Sequence, residues 1–171
     1  LHNERGQPLH IVHRDVSPQN IIVLFSGGVK VVDFGVAKAA SKMHQTRVGT
    51  MKGKLSYMSP EQCMSKELDP RADVFSLGVV FWEMLARRRL FKRDNEAAAV
   101  HSLVNDDPPP LGEIRPEVPR ELERIARTAL AKKPADRYPS CQAMAAALRE
   151  YLRHNRAAAG PAEIAAFMTS L

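Results

Sequence analysis

An aspartate and an asparagine five positions apart, Asp15 and Asn20 in HIVHRDVSPQN, and a second aspartate, Asp33 in VVDFG, are the residues best suited to chemistry. Phosphoryl transfer asks little covalent work of a protein. It needs a carboxylate that orients an attacking hydroxyl and accepts its proton, and oxygen ligands that hold magnesium on the phosphates. Asp15 suits the first task, and Asn20 and Asp33 the second, provided a tight loop brings them into one cleft. Pro18 stiffens that loop, and Gly35 permits a sharp exit after Asp33.

The elements that must position these residues can be read from pattern. Residues 10–12, 21–24 and 29–32 are short β-type runs, and SGG at 26–28 makes 21–32 a hairpin between Asn20 and Asp33. Residues 33–58 lack sustained periodicity, which inside a compact domain marks a functional loop. From Asp69 the chain turns helical. Asp69 is the expected N-cap and Pro70 the first residue of a helix through VFSLGVVFWEML, apolar nearly all round. NEAAAVHSLV (95–104) is a second helix, ending at the breaker DDPPP. PRELERIARTALA (119–131) places Leu122, Ile125, Ala126, Ala129 and Leu130 on one face. SCQAMAAALREYL (140–152), capped by Ser140, places Met144, Leu148 and Leu152 together, and a short last helix is expected after Gly160 and Pro161.

Bulk properties narrow the class. A length of 171 residues supports one core, and 44% hydrophobic with 26% charged residues is ordinary globular composition. Cys63 and Cys141 form no C-x-x-C pair and read as reduced thiols of a cytoplasmic protein, neither a disulfide framework nor a zinc site. The net charge of +6 is dispersed, and its densest run, RRRLFKR (87–93), lacks the interleaved aromatics of a single-strand platform. It reads as solvated cations at a helix C-terminus, so no nucleic-acid partner is expected. The start, LHNERGQPLH, is polar, and the most apolar stretch is too short to span a bilayer, so no membrane partner is expected within this segment.

Taken together, the motifs resemble those of the protein kinases. HRDVSPQN corresponds to their catalytic loop, DFG to their magnesium-binding loop, SPE (59–61) to their A-P-E motif, and DVFSLG (73–78) to the opening of their central helix. Order and spacing agree from residue 10 to about 153, and YMSPEQ is similar to the eukaryotic-like serine/threonine kinases of bacteria. The resemblance implies Asp15 as catalytic base and Asn20 and Asp33 as magnesium ligands, with ATP and Mg2+ as cofactors and a protein as substrate. It implies a buried ion pair between Glu61 and Arg137 that anchors the docking loop before SPE. It also implies that Asp73 holds the catalytic-loop backbone, and that His13 and Phe34 pack in the core as supports. Arg14, beside the catalytic aspartate, is expected to receive a phosphate placed on Thr46 or Thr50, ordering the loop.

Two positions depart from the family pattern. Ser17 stands where serine/threonine kinases usually carry a lysine, and Lys54 stands at a threonine position, so Lys54 is expected to deliver the missing cation near Asp15. The sequence also contains no Gly-rich loop, no V-A-I-K-like lysine and no upstream helix with its glutamate. The expected fold class is therefore protein-kinase-like α+β, a mainly helical C-lobe over 1–153 with a small β-hairpin and no N-lobe, followed by a tail over 154–171. Because the chain begins at Leu1, it is expected to be a fragment, nearly inactive without the missing N-lobe of the same chain. The alternatives are a non-catalytic pseudokinase or interaction module and, more remotely, a small-molecule phosphotransferase.

Overall fold

The computed structural model describes residues 11–34, 55–93, 95–155 and 160–171. Two short strands, β1 (Ile21–Val23) and β2 (Val29–Val31), pair antiparallel with Ile21 opposite Val31 and Val23 opposite Val29. The turn between them closes through bonds from the Leu24 amide to the Gly28 carbonyl and from the Gly27 amide to the Leu24 carbonyl, both 2.8 Å. Gly27 sits at φ +80°, and a Cβ there would meet the Pro161 carbonyl oxygen at 1.7 Å, so only glycine fits. The expected run at 10–12 is not a strand over Ile11 and Val12, and Ile11 lies exposed.

Helices then dominate: α1 (Pro60–Cys63), α2 (Arg71–Ala86), α3 (Glu96–Asn105), α4 (Leu111–Ile114), α5 (Arg120–Ala129), α6 (Cys141–His154) and α7 (Pro161–Thr169). Helix α2 begins one residue later than its sequence suggests. Pro70 occupies the cap position with helical dihedrals, yet Asp69 still caps the helix because its carboxylate accepts the Arg71 amide at 2.8 Å. Helices α3 and α6 start on the side chains of Asn95 and Ser140, which accept from the amides of Ala98 and Ala143.

Helix α2 is the axis of the core. On one side Phe75, Val79 and Trp82 pack with Tyr57, Phe91, Leu103 and Leu130; on the other Val74 meets Ile125, Ala129 and Met144. Gly78 lets α5 approach closely, since a Cβ there would lie 2.8 Å from that of Ala129. Along α6 the inward stripe runs Met144, Leu148 and Tyr151, whereas Leu152, expected inside, is exposed. Eight residues at 100° each rotate Leu152 about 80° off the Met144 direction, while seven bring Tyr151 back within about 20°. The basic run also differs from a purely solvated patch. Arg87 ends α2 at φ 54°, and the chain then turns inward to bury Leu90 and Phe91. No helix among the described residues is long and apolar enough to cross a membrane.

Candidate active site

The loop from His13 to Asn20 is fixed from below by Asp73, in the first turn of α2. Its carboxylate accepts the amide of His13 at 2.7 Å through one oxygen and that of Arg14 at 2.9 Å through the other. Burial pushes this carboxyl up, against the two amide donors, which favour its charged form. Arg14 takes φ 66°, a left-handed conformation costly for a bulky residue, and the two bonds from Asp73 hold it there.

His13 links the loop to the strand beyond it. Its Nδ1 accepts the Asp15 amide at 3.3 Å, which leaves Nε2 to carry the proton and donate to the Val32 carbonyl at 3.1 Å. The imidazole is buried and packs against Phe34 at a tilt of 35°, with centroids 4.5 Å apart. Phe34 itself is 50% exposed, so its expected place in the core is corrected: it lies half-exposed against the His13 ring.

Asn20 is 97% buried, and its side-chain amide donates to the Asp15 carbonyl at 2.7 Å. That bond assigns the nitrogen to the loop and leaves the carbonyl oxygen as the side-chain atom able to accept a cation. The Asn20 backbone carbonyl in turn accepts the Val32 amide at 2.9 Å, so the hairpin returns the chain beside its start and places Asp33 one residue beyond the bridge. Asp33 is exposed and left-handed at φ 59°, a conformation that aspartate tolerates better than most residues. One amide oxygen and one carboxylate fit magnesium, which takes few protein ligands and keeps the rest for water and phosphate oxygens. Among the described residues no cluster of three His, Cys, Asp or Glu side chains offers an all-protein metal cage.

Ser17 is 1% exposed, and its hydroxyl has no hydrogen-bond partner among the described residues; the same holds for the buried Nε of Arg14. Lys54, Thr46, Thr50 and Gly35 lie outside the described residues.

The segment before α1 is anchored at both ends. Arg137, with no side-chain exposure, makes a two-pronged pair with Glu61 at 2.7 and 2.9 Å. Its remaining N–H groups donate to the carbonyls of Arg71, Ala131 and Lys132, so all five donors are used. Burial would raise the Glu61 carboxyl, but the Arg137 hydrogen bonds and charge outweigh it and hold the pKa below the ordinary 4.5. Tyr57 is pinned by a 2.7 Å bond from its hydroxyl to Glu83, whose carboxyl burial pushes up.

Gln62 was not singled out by sequence. Its side chain accepts the Ser59 amide at 3.0 Å while its own amide bonds Ser59 Oγ, and its Nε2 donates to the Arg14 carbonyl at 2.9 Å. It ties the SPE segment to the Asp15 loop. The signal was present as S-x-x-Q, the pattern of a helix-start capping box.

Comparison with known proteins agrees with this geometry. Residues 1–148 match the family model described as protein kinase domain. The chain is 47% identical over 166 residues to tyrosine-protein kinase MasK of Myxococcus xanthus, covering 97% of this chain and 26% of that protein. It is 36% identical over 150 residues to a probable serine/threonine-protein kinase PknB of Corynebacterium glutamicum, covering 84% of this chain and 23% of the relative. It is 41% identical over 152 residues to serine/threonine-protein kinase Pkn1 of Myxococcus xanthus, covering 84% and 22%. The chain thus spans about a quarter of the length of these relatives. With a loop held by Asp73, a hairpin that sets Asp33 beside Asn20, and this breadth of similarity, the chain belongs to the protein kinase family and resembles its eukaryotic-like bacterial members.

Proposed function

We propose that this chain carries the base and magnesium-holding half of a serine/threonine protein kinase site, which transfers the γ-phosphate of ATP to a protein hydroxyl. The observation that supports it most is the loop itself: Asp73 fixes its backbone, and Asn20 ties its own side chain to the Asp15 carbonyl. Asp15 takes the proton of the acceptor hydroxyl. Asn20 and Asp33 hold magnesium, whose charge offsets that of the phosphates.

The other half of the nucleotide site falls to an N-lobe of the same protein. The hairpin supports this assignment, because Val23, Val29 and Val31 share one of its faces beside the catalytic loop and are all 39% exposed or more. The isolated 171 residues are accordingly inactive, and the whole protein works in the cytoplasm.

The name of the relative MasK, a tyrosine-protein kinase, supports a second reading, a tyrosine acceptor. Ser17, short and uncharged where serine/threonine kinases usually carry lysine, leaves that reading open. Phosphoamino-acid analysis of a generic protein labelled by the full-length enzyme separates the two. Phosphoserine and phosphothreonine are expected; phosphotyrosine as the main product would replace the first reading with the second.

A further inference from the structure

The loop that leads into Ser59 and the start of α3 enclose a pocket open to solvent, lined among others by Leu55, Ser56, Lys92, Arg93 and Glu96. Its charged residues are not equivalent. Arg93 is engaged by the fold: it donates to the carbonyls of Leu90 and Lys92, bonds Ser102 Oγ at 2.6 Å and faces Asp106 at 3.6 Å. Lys92 is exposed, and among the described residues it makes no hydrogen bond or ion pair through its ammonium.

The neighbouring carboxylate, Glu83, is already occupied. It accepts the Tyr57 hydroxyl, the Leu90 amide and, at 3.2 Å, the guanidinium of Arg89, which also lies 5.4 Å over the Tyr57 ring. The Arg89 side chain is 46% exposed and that of Glu83 is 9% exposed, so this pair presents its cation to solvent and hides its anion. Among the described residues the pocket lining therefore offers Lys92 and Arg93 against the single carboxylate of Glu96, while Arg89 sits over the ring of Tyr57, next in sequence to the lining residue Ser56.

Resting on the protein-kinase reading, we infer that the substrate segment that lies along Leu55–Tyr57 carries an acidic side chain, Asp or Glu, which Lys92 receives in this pocket. A basic side chain placed there meets the cations of Lys92 and Arg93 against the one carboxylate of Glu96. Solvent screens such pairs, so the selection is modest and falls with salt.

The test uses the full-length protein, Mg·ATP and peptides that share one acceptor and differ only in carrying Glu, Ala or Arg at each flanking position in turn. At one or more positions kcat/KM for Glu should exceed that for Arg by about fivefold. Lys92→Ala should erase that ratio and Lys92→Glu should reverse it; Lys92 is exposed, so neither change opens the core. Labelling without acidic preference, or a preference unchanged in Lys92→Glu, overturns the inference and leaves the kinase reading intact. A protein that labels neither the peptides nor any generic protein overturns both.

Discussion

Asp15→Asn in the full-length protein is expected to lower turnover by about 10^2–10^4-fold while ATP affinity changes by less than about threefold. The substitution keeps shape and removes basicity. The frame that presents residue 15 is built from other groups: the His13 ring accepts its amide, the Asn20 side chain donates to its carbonyl, and Asp73 fixes the two preceding amides. An asparagine therefore sits where the aspartate sat and cannot take the acceptor's proton. Steady-state rates with a protein substrate, beside nucleotide titration, measure both halves of the expectation. Turnover within about threefold of wild type would remove Asp15 from the chemistry.

The second large effect falls on folding. Arg137→Ala leaves the Glu61 carboxylate buried without a counter-ion and strips a donor from the carbonyls of Arg71, Ala131 and Lys132. Breaking a buried pair in this way costs about 3–5 kcal/mol, a large part of the roughly 5–15 kcal/mol that holds a typical domain. The unfolding transition of this domain should fall by on the order of 10 °C. The double change Glu61→Ala with Arg137→Ala should remain well below wild type, because the three backbone acceptors still lose their donor. A double variant as stable as wild type would mean that those backbone bonds contribute nothing.

The same pair sets a pH dependence. The folded pKa of Glu61 lies below its ordinary 4.5, so the native state binds this proton less readily than the unfolded chain. The stabilisation is complete above the ordinary value and is lost as pH falls through the lowered folded value. Acid unfolding should thus steepen below pH 4.5 in wild type and lose that component in Glu61→Gln.

Much of the site was legible because its parts are local. HRDVSPQN and VVDFG each gather their candidate residues within a few positions, and the SGG turn between them fixes how the two meet. The helices were legible where apolar spacing and a cap agreed, as at Ser140, whereas Asn95, read as the first helical residue, is the cap itself. What escaped depends on partners distant in sequence. The inward turn of Leu90 and Phe91 is decided by the floor they find against Phe75 and Leu103, not by the arginines around them. Likewise α4 follows three prolines that promise a break, yet Leu111 buries and its amide is held by Glu123 from α5. Gln62 acts across 48 residues on the Arg14 carbonyl, a contact no local pattern contains. Phe34 was placed inside because the kinase resemblance implied it, yet it is 50% exposed and meets the His13 ring at 4.5 Å.

The proposed function requires Asn20 and Asp33 to act as one magnesium-holding pair beside Asp15. The most direct measurement is the rate of γ-phosphate transfer from ATP as magnesium is titrated, for the full-length wild type and for Asp33→Asn. Asparagine tolerates the left-handed backbone at this position, so the change removes charge and little else. Wild type should show saturable magnesium-dependent transfer, and Asp33→Asn should need at least about tenfold more magnesium to reach a lower maximum. An Asp33→Asn enzyme with the wild-type rate and the wild-type magnesium midpoint would contradict the account.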